Sequence, residues 1–311
     1  MKIIRGIHNL KKINSHSVIS IGNFDGVHLG HQKLLSTVCN IGKENNLPTI
    51  IILFEPQPLE FFNNRASPKR ITTFQEKIKY IQLYKIDIIL CIKFNSIFAK
   101  MNAQTFITKI LINKLNIKFI IIGQDFKFGS ERNGDIFLLK NMSKKYKFIV
   151  IEIEPLYKSN IKISSTNIRK YLLQDNIKSA ESLLGRPFNI IGRVIYGDQI
   201  GRTLGYPTAN IKLYQNIALN NGVYAAKVHY KQTYFGICNI GFKPSSLNKQ
   251  KNKTVEVHLF NTKINLYNKK IEILIHKKIR NEHFFISMHK LKNQIAQDVQ
   301  ITKKYFNISN H

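Results

Sequence analysis

The stretch from Ile21 to His31, Ile-Gly-Asn-Phe-Asp-Gly-Val-His-Leu-Gly-His, decides the fold of the first half of the chain. It follows an apolar run, 17–21, that is typical of a buried strand, and a helical pattern runs on to about Glu44. Glycines 22 and 26 permit a sharp turn, and the start of a helix offers free N–H groups to an anion. The stretch therefore predicts a strand, a tight turn and a helix that together bind a phosphate.

The same alternation continues along the first half of the chain. Apolar runs at 49–54, 87–92, 118–122 and 147–153 alternate with helical patterns at 73–84, 103–115 and 135–145. Buried strands alternating with helices indicate a parallel sheet covered on both faces. We expect an α/β N-terminal domain, a Rossmann-like parallel sheet, over residues 1–182.

The pattern changes near residues 185–187. Strand-like runs follow at 190–196, 223–230, 234–240, 254–260 and 270–276, with turn residues and no helix between them. Such a series is typical of an antiparallel barrel or sandwich. A last helical pattern runs from about Ser287 to Tyr305. We expect a C-terminal antiparallel β-barrel with a terminal helix over residues 183–311.

Length and composition agree with two globular domains. The chain has 311 residues, of which 43% are hydrophobic, and its 3 cysteines are far apart in sequence. This spacing predicts neither a disulfide framework nor a metal cluster, and it favours a reducing compartment. The first residues contain no apolar core of a signal peptide, and the apolar runs are too short to cross a bilayer. We expect a cytoplasmic protein without a membrane partner, and the sequence predicts no oligomeric state.

The formal charge of +30 by itself favours a nucleic-acid-binding protein. However, only nine of the 48 basic residues are Arg, and no basic run exceeds two residues. Arg is the usual choice for bidentate phosphate and base contacts. Lys, Ile and Asn share A/T-rich codons, so genome composition can produce this bias. We therefore expect no dedicated nucleic-acid partner, although the positive field attracts small polyphosphates.

Two histidines lie at the start of the first helix, with Gly30 between them. They suit attack at the α-phosphate of a nucleotide, where charge must be stabilised. We expect His28 and His31 to be catalytic. The residues expected to contact ATP there are Gly22, Asn23, Phe24, Asp25, Gly26 and Gly30. Incidental helix-start histidines are the alternative, and a metal site is disfavoured because no nearby cysteine or acidic cluster completes a shell.

A second helix start carries Ser164, Ser165 and Thr166, with Arg169 one turn later. Three hydroxyls, free N–H groups and a guanidinium can bind one phosphate. A plain N-cap with a solvated Arg is the alternative. Because ligands bind at the carboxyl ends of strands in open α/β sheets, we expect these four residues to bind ATP phosphate.

The second half contains a glycine-rich stretch from Gly192 to Asn210 that suits a loop around a nucleotide phosphate. Thr208 and Asn210 supply hard oxygen ligands suited to Mg²⁺. The expected ATP contacts are Gly197, Gly201, Arg202, Gly205, Pro207, Thr208 and Asn210. Glu256 is a carboxylate among apolar strand neighbours, although periodicity alone would let it simply face water.

These motifs together resemble one family. The turn with its HxGH element resembles the nucleotidyltransferase signature, and the stretches 54–58, 123–129 and 163–169 resemble further motifs of the bifunctional riboflavin kinase/FMN adenylyltransferases. Gly201-Arg-Thr-Leu-Gly-Tyr-Pro-Thr-Ala-Asn210 resembles the riboflavin kinase signature. The resemblance extends from about residue 15 to residue 306.

The resemblance implies two activities that use Mg²⁺ and ATP. One converts riboflavin to FMN, and the other joins FMN to AMP, giving FAD and pyrophosphate. It implies that Thr208 and Asn210 bind Mg-ATP and that Glu256 activates the ribityl hydroxyl as a base. The implied flavin contacts are Asp125, Phe126 and Phe128 in the first half and Arg280, Phe284 and Phe285 in the second.

Four positions depart from the family pattern, namely Gln124, Lys243, Asn261 and Asn268. Asn tolerates left-handed geometry, so we expect the turn after Tyr267 to survive. A single-activity nucleotidyltransferase whose second half only binds a ligand is the alternative that the sequence leaves open.

Overall fold

The apolar runs of the first half form one six-stranded sheet in the computed structural model, which describes residues 1–62, 67–213, 216–242 and 253–309. Its strands are β1 (Lys2–Arg5), β2 (Ser17–Ile21), β3 (Thr49–Glu55), β4 (Ile88–Lys93), β5 (Ile117–Gly123) and β6 (Ile149–Ile153). Their order is β1-β4-β3-β2-β5-β6, and every neighbouring pair is parallel. The predicted parallel sheet is confirmed, and β1 is an edge strand that the sequence pattern did not predict.

Helices cover both faces of this sheet. They are α1 (Leu29–Glu44), α2 (Pro58–Phe62), α3 (Phe74–Gln82), α4 (Ser96–Ala99), α5 (Ala103–Thr105) and α6 (Ile136–Tyr146). After β6 the chain forms a two-stranded hairpin of β7 (Tyr157–Lys158) and β8 (Ile161–Lys162). Alternate strand residues enter two separate cores: Ile50 and Ile52 face one, whereas Ile51 and Leu53 face the other. This explains why the strands are apolar at nearly every position.

One crossover differs from the helix predicted over 103–115. After α5 the chain forms a π-helix, Phe106–Ile112, in which Asn113 N–H donates to the carbonyl of Thr108. The wider turn keeps Phe106, Ile110 and Leu111 buried against the sheet. Such π segments occur often at functional sites, and the side chain of Phe106 also borders the cavity described below.

The second half forms a closed barrel of antiparallel strands, as predicted. Its strands are β9 (Asn189–Ile195), β10 (Thr208–Lys212), β11 (Gly222–Tyr230), β12 (Gln232–Phe242), β13 (Lys253–Leu259) and β14 (Lys270–Arg280), in the order β10-β13-β12-β11-β14-β9. The associated helices are α7 (Ser165–Leu173), α8 (Ile177–Leu184), α9 (Ile200–Thr203) and α10 (Met288–Tyr305). Val299 of α10 packs with Val223, Ile237 and Phe260 of the barrel.

Two details of the barrel correct the sequence reading. Strand β10 lies where the sequence predicted a loop. The strand was not predicted because the alternation in Thr-Ala-Asn-Ile-Lys is short and starts with polar residues. The one-turn helix α9 lies between β9 and β10, where no helix was expected. The final helix is confirmed, and it begins after Ser287, whose Oγ accepts the N–H of Lys290 at 3.3 Å.

The chain divides into two units. The first comprises Met1–Pro68 and Phe74–Ser164, and the second comprises Lys69–Thr73 and Ser165–His311. The division lies earlier than the expected boundary at 182/183, because α7 and α8 pack on each other and α8 packs on β14. Segment 69–73 joins the second unit through a parallel bridge between Arg70 and Ile217.

Cys39, Cys91 and Cys238 are free thiols. Among the described residues, no helix combines the length and the apolar character needed to span a membrane.

Candidate active sites

The turn after β2 places both histidines at the start of α1. His28 is the N-cap, and its Nδ1 accepts the backbone N–H of His31 at 3.3 Å. The two rings stack with centroids 3.7 Å apart, and the Phe24 ring lies 5.0 Å from that of His31. Because Nδ1 of His28 accepts this hydrogen bond, the neutral ring carries its proton on Nε2. His28 can therefore donate a hydrogen bond from Nε2 to an anion.

The local sequence explains this geometry. Phe24, Gly26 and Val27 all have positive φ, at 47°, 83° and 41°, so the chain reverses within a few residues. A Cβ on Gly30 would lie 3.2 Å from the His28 ring, so glycine keeps the space beside the ring open. Strained non-glycine residues are retained where the surrounding structure requires them, often at functional sites. Here Phe24 and Val27 are buried at 1% exposure, which fixes the turn.

A cavity of about 740 Å³ opens beside this turn, at the carboxyl edge of the sheet. Gly22 and Asn23 border it on the side of the turn. Its wall contains eight phenylalanines, namely Phe54, Phe61, Phe62, Phe94, Phe98, Phe106, Phe126 and Phe128. Their rings are in mutual contact, and Phe126 and Phe128 stack at 5.4 Å with an angle of 16°. A large apolar cavity with few polar groups is typical of a site for a flat aromatic ligand.

Three of the predicted flavin contacts line this cavity: Asp125, Phe126 and Phe128. Asp125 also forms an ion pair with Lys162 of β8. The motif-based reading missed the other six phenylalanines and the pocket's Lys100 and Arg132. The adjacent aromatic residues Phe61 and Phe62 were the available signal in the sequence.

The second predicted phosphate motif lies at the junction of the two units. Within the first unit, a Cβ added to Gly30 would lie 3.7 Å from the carbonyl oxygen of Ile163. The chain therefore passes close to the histidine turn just before Ser164. Within the second unit, α7 begins at Ser165, and Nε of Arg169 donates to the carbonyl of Lys69 at 2.8 Å. Thr166 is exposed on the first turn of α7.

The barrel register brings the predicted kinase residues together. Asn210 of β10 pairs with Glu256 of β13, and Thr208 pairs with His258. Directly opposite residues in neighbouring strands share one face of the sheet, with Cβ atoms roughly 5 Å apart. The alternate pair, Ile211 and Val255, is buried in the barrel, so Asn210 and Glu256 lie on the outer face.

The glycine-rich loop packs against that outer face. A Cβ on Gly197 would lie 2.6 Å from the Asn210 amide, and one on Gly201 would lie 2.4 Å from the carbonyl of Tyr206. Gly205 has φ of 91°, which side chains rarely adopt. Each glycine therefore permits a close approach or a turn that another residue would oppose.

A second cavity, of about 330 Å³, opens beside this loop. Arg202, Pro207 and Thr208 from the predicted set line it, together with the strand-connecting residues 262–267. His258 lies next to it, where its Nδ1 pairs with the carbonyl of Pro207 at 2.9 Å. Burial lowers the pKa of His258, which favours its neutral form. Burial raises the pKa of the Cys238 thiol, with a smaller contribution from Glu256, so Cys238 is no thiolate nucleophile.

The three residues predicted to contact flavin in the barrel have different environments. Arg280 at the end of β14 forms a two-pronged ion pair with Asp298 of α10, with Nε 3.0 Å from Oδ1 and Nη2 2.8 Å from Oδ2. Its guanidinium also lies 5.6 Å from the Phe285 ring centroid. Phe284 is 94% exposed. Arg280 thus fastens α10 to the barrel, and Phe284 is an uncovered apolar side chain.

Among the departures from the family pattern, Asn268 adopts φ of 61°, so the expected left-handed turn after Tyr267 is confirmed. Asn261 is also left-handed, with φ of 51°. Gln124 is exposed and follows β5. Lys243 lies outside the described residues.

Comparisons with known proteins match both halves. The family model for FAD synthetase matches residues 10–167, and the model for riboflavin kinase matches residues 184–306. A bifunctional riboflavin kinase/FMN adenylyltransferase from Buchnera aphidicola subsp. Schizaphis graminum is 65% identical, covering 99% of this chain and 100% of that protein. The protein of the same description from Escherichia coli K12 is 42% identical, with 99% of each chain covered.

A solved structure agrees with the fold over nearly the full length. A crystal structure described as a macrolide-efflux protein from Streptococcus pneumoniae superposes with a TM-score of 0.80 at 28% identity, covering 97% of this chain and 99% of that one. Both halves of the chain thus match one protein. The two domain models and the full-length relatives show that this chain belongs to the family of bifunctional riboflavin kinase/FMN adenylyltransferases, enzymes that make flavin cofactors from riboflavin and ATP.

Proposed function

We propose that the cavity bounded by the eight phenylalanines holds the flavin ring of FMN during adenylylation. The observation that carries this proposal is the position of the cavity, which opens at Gly22 and Asn23, a few residues before the stacked histidines. A flavin ring in the cavity can extend its phosphate toward this turn. Phe126 and Phe128 would then contact the ring, and Asp125 would lie at the rim.

In this reaction a phosphate oxygen of FMN attacks the α-phosphorus of ATP, and pyrophosphate leaves. His28 would donate from Nε2 to an ATP phosphate oxygen, and His31 would support it through their stacked rings. Phe24 and Asp25 hold the turn in shape, while Gly22, Asn23, Gly26 and Gly30 would let phosphate oxygens approach the backbone. Fixed donors aimed at the developing charge supply most of the catalysis available to such a site.

Ser164, Ser165, Thr166 and Arg169 would bind phosphate oxygens of the ATP used in adenylylation. The start of α7 and the three hydroxyls there support this role. One guanidinium nitrogen of Arg169 is engaged with Lys69, which orients the side chain.

We propose that the outer face of the barrel phosphorylates riboflavin. The Oδ1 atom of Asn210 is buried and has no hydrogen-bond partner among the described residues, while its Nδ2 lies 3.4 Å from Oγ1 of Thr208. A buried oxygen in this state fits a hard cation, so Thr208 and Asn210 would hold Mg²⁺. The ion would offset the charge of the ATP phosphates.

The other kinase residues have complementary roles. Glu256 faces the same side as Asn210 and would accept the proton of the ribityl hydroxyl as this oxygen attacks the γ-phosphorus. ATP would lie against the loop formed by Gly197, Gly201, Arg202, Gly205 and Pro207. Phe284 and Phe285 would cover the flavin, with Arg280 beside them.

The decisive experiment supplies riboflavin and Mg-ATP and separates FMN from FAD by chromatography. His31→Ala should stop FAD formation and spare FMN formation. Glu256→Gln should stop FMN formation and spare the conversion of supplied FMN to FAD. A folded variant that loses both activities together would contradict two separate sites.

The same reasoning assigns adenylylation to residues 1–182 and phosphorylation to residues 183–311. Phosphorylation of riboflavin by the isolated fragment 183–311 would support this boundary. Its failure, together with activity of a fragment starting at Ser165, would move the boundary to the start of α7.

We also propose a cytoplasmic location, which the three free cysteines support. Cell fractionation tests it.

A further inference from the structure

The loop from Phe128 to Gly134 forms an unusual rim on the phenylalanine-lined cavity. Its ends are joined by two backbone hydrogen bonds between Phe128 and Gly134, at 3.0 and 2.8 Å. At its tip, Glu131 and Arg132 both have positive φ, at 53° and 60°. Such a conformation is unfavourable for a non-glycine residue, so the fold retains an unfavourable tip that borders the cavity.

The loop is held rigidly in place. The N–H of Ser130 donates to the carbonyl of Met101 at 2.8 Å, and Gly129 lies so close to Ala103 that a Cβ would approach its backbone to 2.8 Å. These contacts fasten the loop to the segment that follows β4, which also brings Lys100 to the cavity. The loop tip is therefore a fixed part of the cavity wall.

Some of the charged residues in the cavity wall form ion pairs, and others do not. Five charged residues line the cavity. Lys127 pairs with Asp135 at 3.1 Å, and Asp125 pairs with Lys162. Within the part of the chain that the structure describes, the guanidinium of Arg132, the ammonium of Lys100 and the carboxylate of Glu131 have no ion-pair or hydrogen-bond partner. Two cations thus border an apolar cavity without a protein acceptor.

The fold sets which part of FMN these cations can meet. The phosphate must lie near Gly22 and the histidine turn, where α1 and the core containing Phe24 and Val27 cover one face of the sheet. The cavity instead adjoins the opposite core, which contains Phe106 and Phe128. The flavin ring would therefore enter on this side, where the wall includes the loop tip with Arg132.

We propose that Arg132 determines flavin specificity by binding the carbonyl edge of the flavin ring. One edge of that ring carries methyl groups, whereas the other carries carbonyl oxygens and ring nitrogens that accept hydrogen bonds. A guanidinium offers a planar set of donors that matches two adjacent acceptors, and it has no favourable contact with methyl groups. This inference rests on the assignment of the cavity to FMN.

The test follows FAD formation from FMN, with lumiflavin as a competitive inhibitor. Lumiflavin has the ring but neither phosphate nor ribityl hydroxyls, so the kinase site cannot phosphorylate it. Arg132→Gln should raise both the KM for FMN and the Ki for lumiflavin by the same factor, about tenfold, the effect of one lost charge-assisted hydrogen bond. Lys144→Gln, which removes an exposed positive charge on α6, is the matched control and should change neither constant.

The other outcomes would overturn the inference. A rise in the KM for FMN with an unchanged Ki would place Arg132 at the phosphate, and no change in either constant would leave it a solvated side chain. Phe126→Ala distinguishes the two proposals: if it raises both constants while Arg132→Gln changes neither, the cavity holds flavin and only the role of Arg132 fails. If neither variant changes either constant, the assignment of the cavity itself fails.

Discussion

The Gly197→Ala variant tests how closely the glycine loop of the barrel must approach Asn210. The added Cβ would lie 2.6 Å from Cγ and Nδ2 of Asn210 and 2.7 Å from its Oδ1. Non-bonded carbon atoms prefer separations of roughly 3.5–4.0 Å, so the amide or the loop must move by about 1 Å. Asn210 is 7% exposed, so the amide has little space in which to retreat.

A displacement of about 1 Å at a group that orients reactants can cost roughly a hundredfold in rate. We therefore expect Gly197→Ala to reduce riboflavin phosphorylation about a hundredfold. The conversion of supplied FMN to FAD should remain at the wild-type rate. Both rates can be measured by chromatographic separation of riboflavin, FMN and FAD.

A double-mutant cycle shows whether the effect passes through Asn210. If it does, Gly197→Ala combined with Asn210→Ala should phosphorylate riboflavin no more slowly than Asn210→Ala alone. Wild-type phosphorylation by Gly197→Ala would refute the reasoning, and so would two losses that multiply in the double variant.

Three further variants or conditions give separate tests. Arg169→Ala should weaken ATP use in adenylylation tenfold to a hundredfold, since one charge-assisted phosphate contact is worth roughly 1.5–3 kcal/mol. Unchanged kinetic constants would mean that this helix start is a plain N-cap. Asp298→Ala leaves the Arg280 charge without its buried partner, which is 2% exposed, and should destabilise the barrel unit by roughly 3 kcal/mol, seen as a lower melting temperature. Burial and the nearby charge of Lys227 lower the pKa of His276 from 6.5, so the folded state binds fewer protons than the unfolded state. Stability should therefore fall as the pH drops below about 6.5. His276→Gln should make stability depend less steeply on pH, and an identical pH dependence in the variant would exclude His276 as its origin.

Several features followed from local sequence because local physics alone produces them. Strand β2 and the start of α1 were predictable, since an apolar run, closely spaced glycines and a helix start are short-range signals. The left-handed turn at Asn268 was predictable for the same reason, because the conformational tolerance of Asn is a property of the residue itself. The terminal helix was predictable from its apolar periodicity.

The pairing of distant residues was decided only by the tertiary structure. Periodicity along β13 could not show whether Glu256 faces water or a site, because the answer depends on its register with Asn210 of β10, 46 positions earlier in the chain. The sequence pattern did not predict strand β10, because its few residues form a strand only by pairing with β9 and β13.

The phenylalanine-lined cavity shows the same limit most clearly. Its rings come from β3, α2, α4, the π-helix and the loops that follow β4 and β5, so no single segment of sequence contains the cavity. The order of the parallel strands brings these loops to one edge of the sheet. The sequence by itself determined most of the sheet and barrel strands, the longer helices, the glycine turns and the family, because these depend on neighbouring residues, whereas β1, β10 and α9 were not predicted. Which side chains meet depended on strand order and register, because those are set by packing between segments that are far apart in the chain.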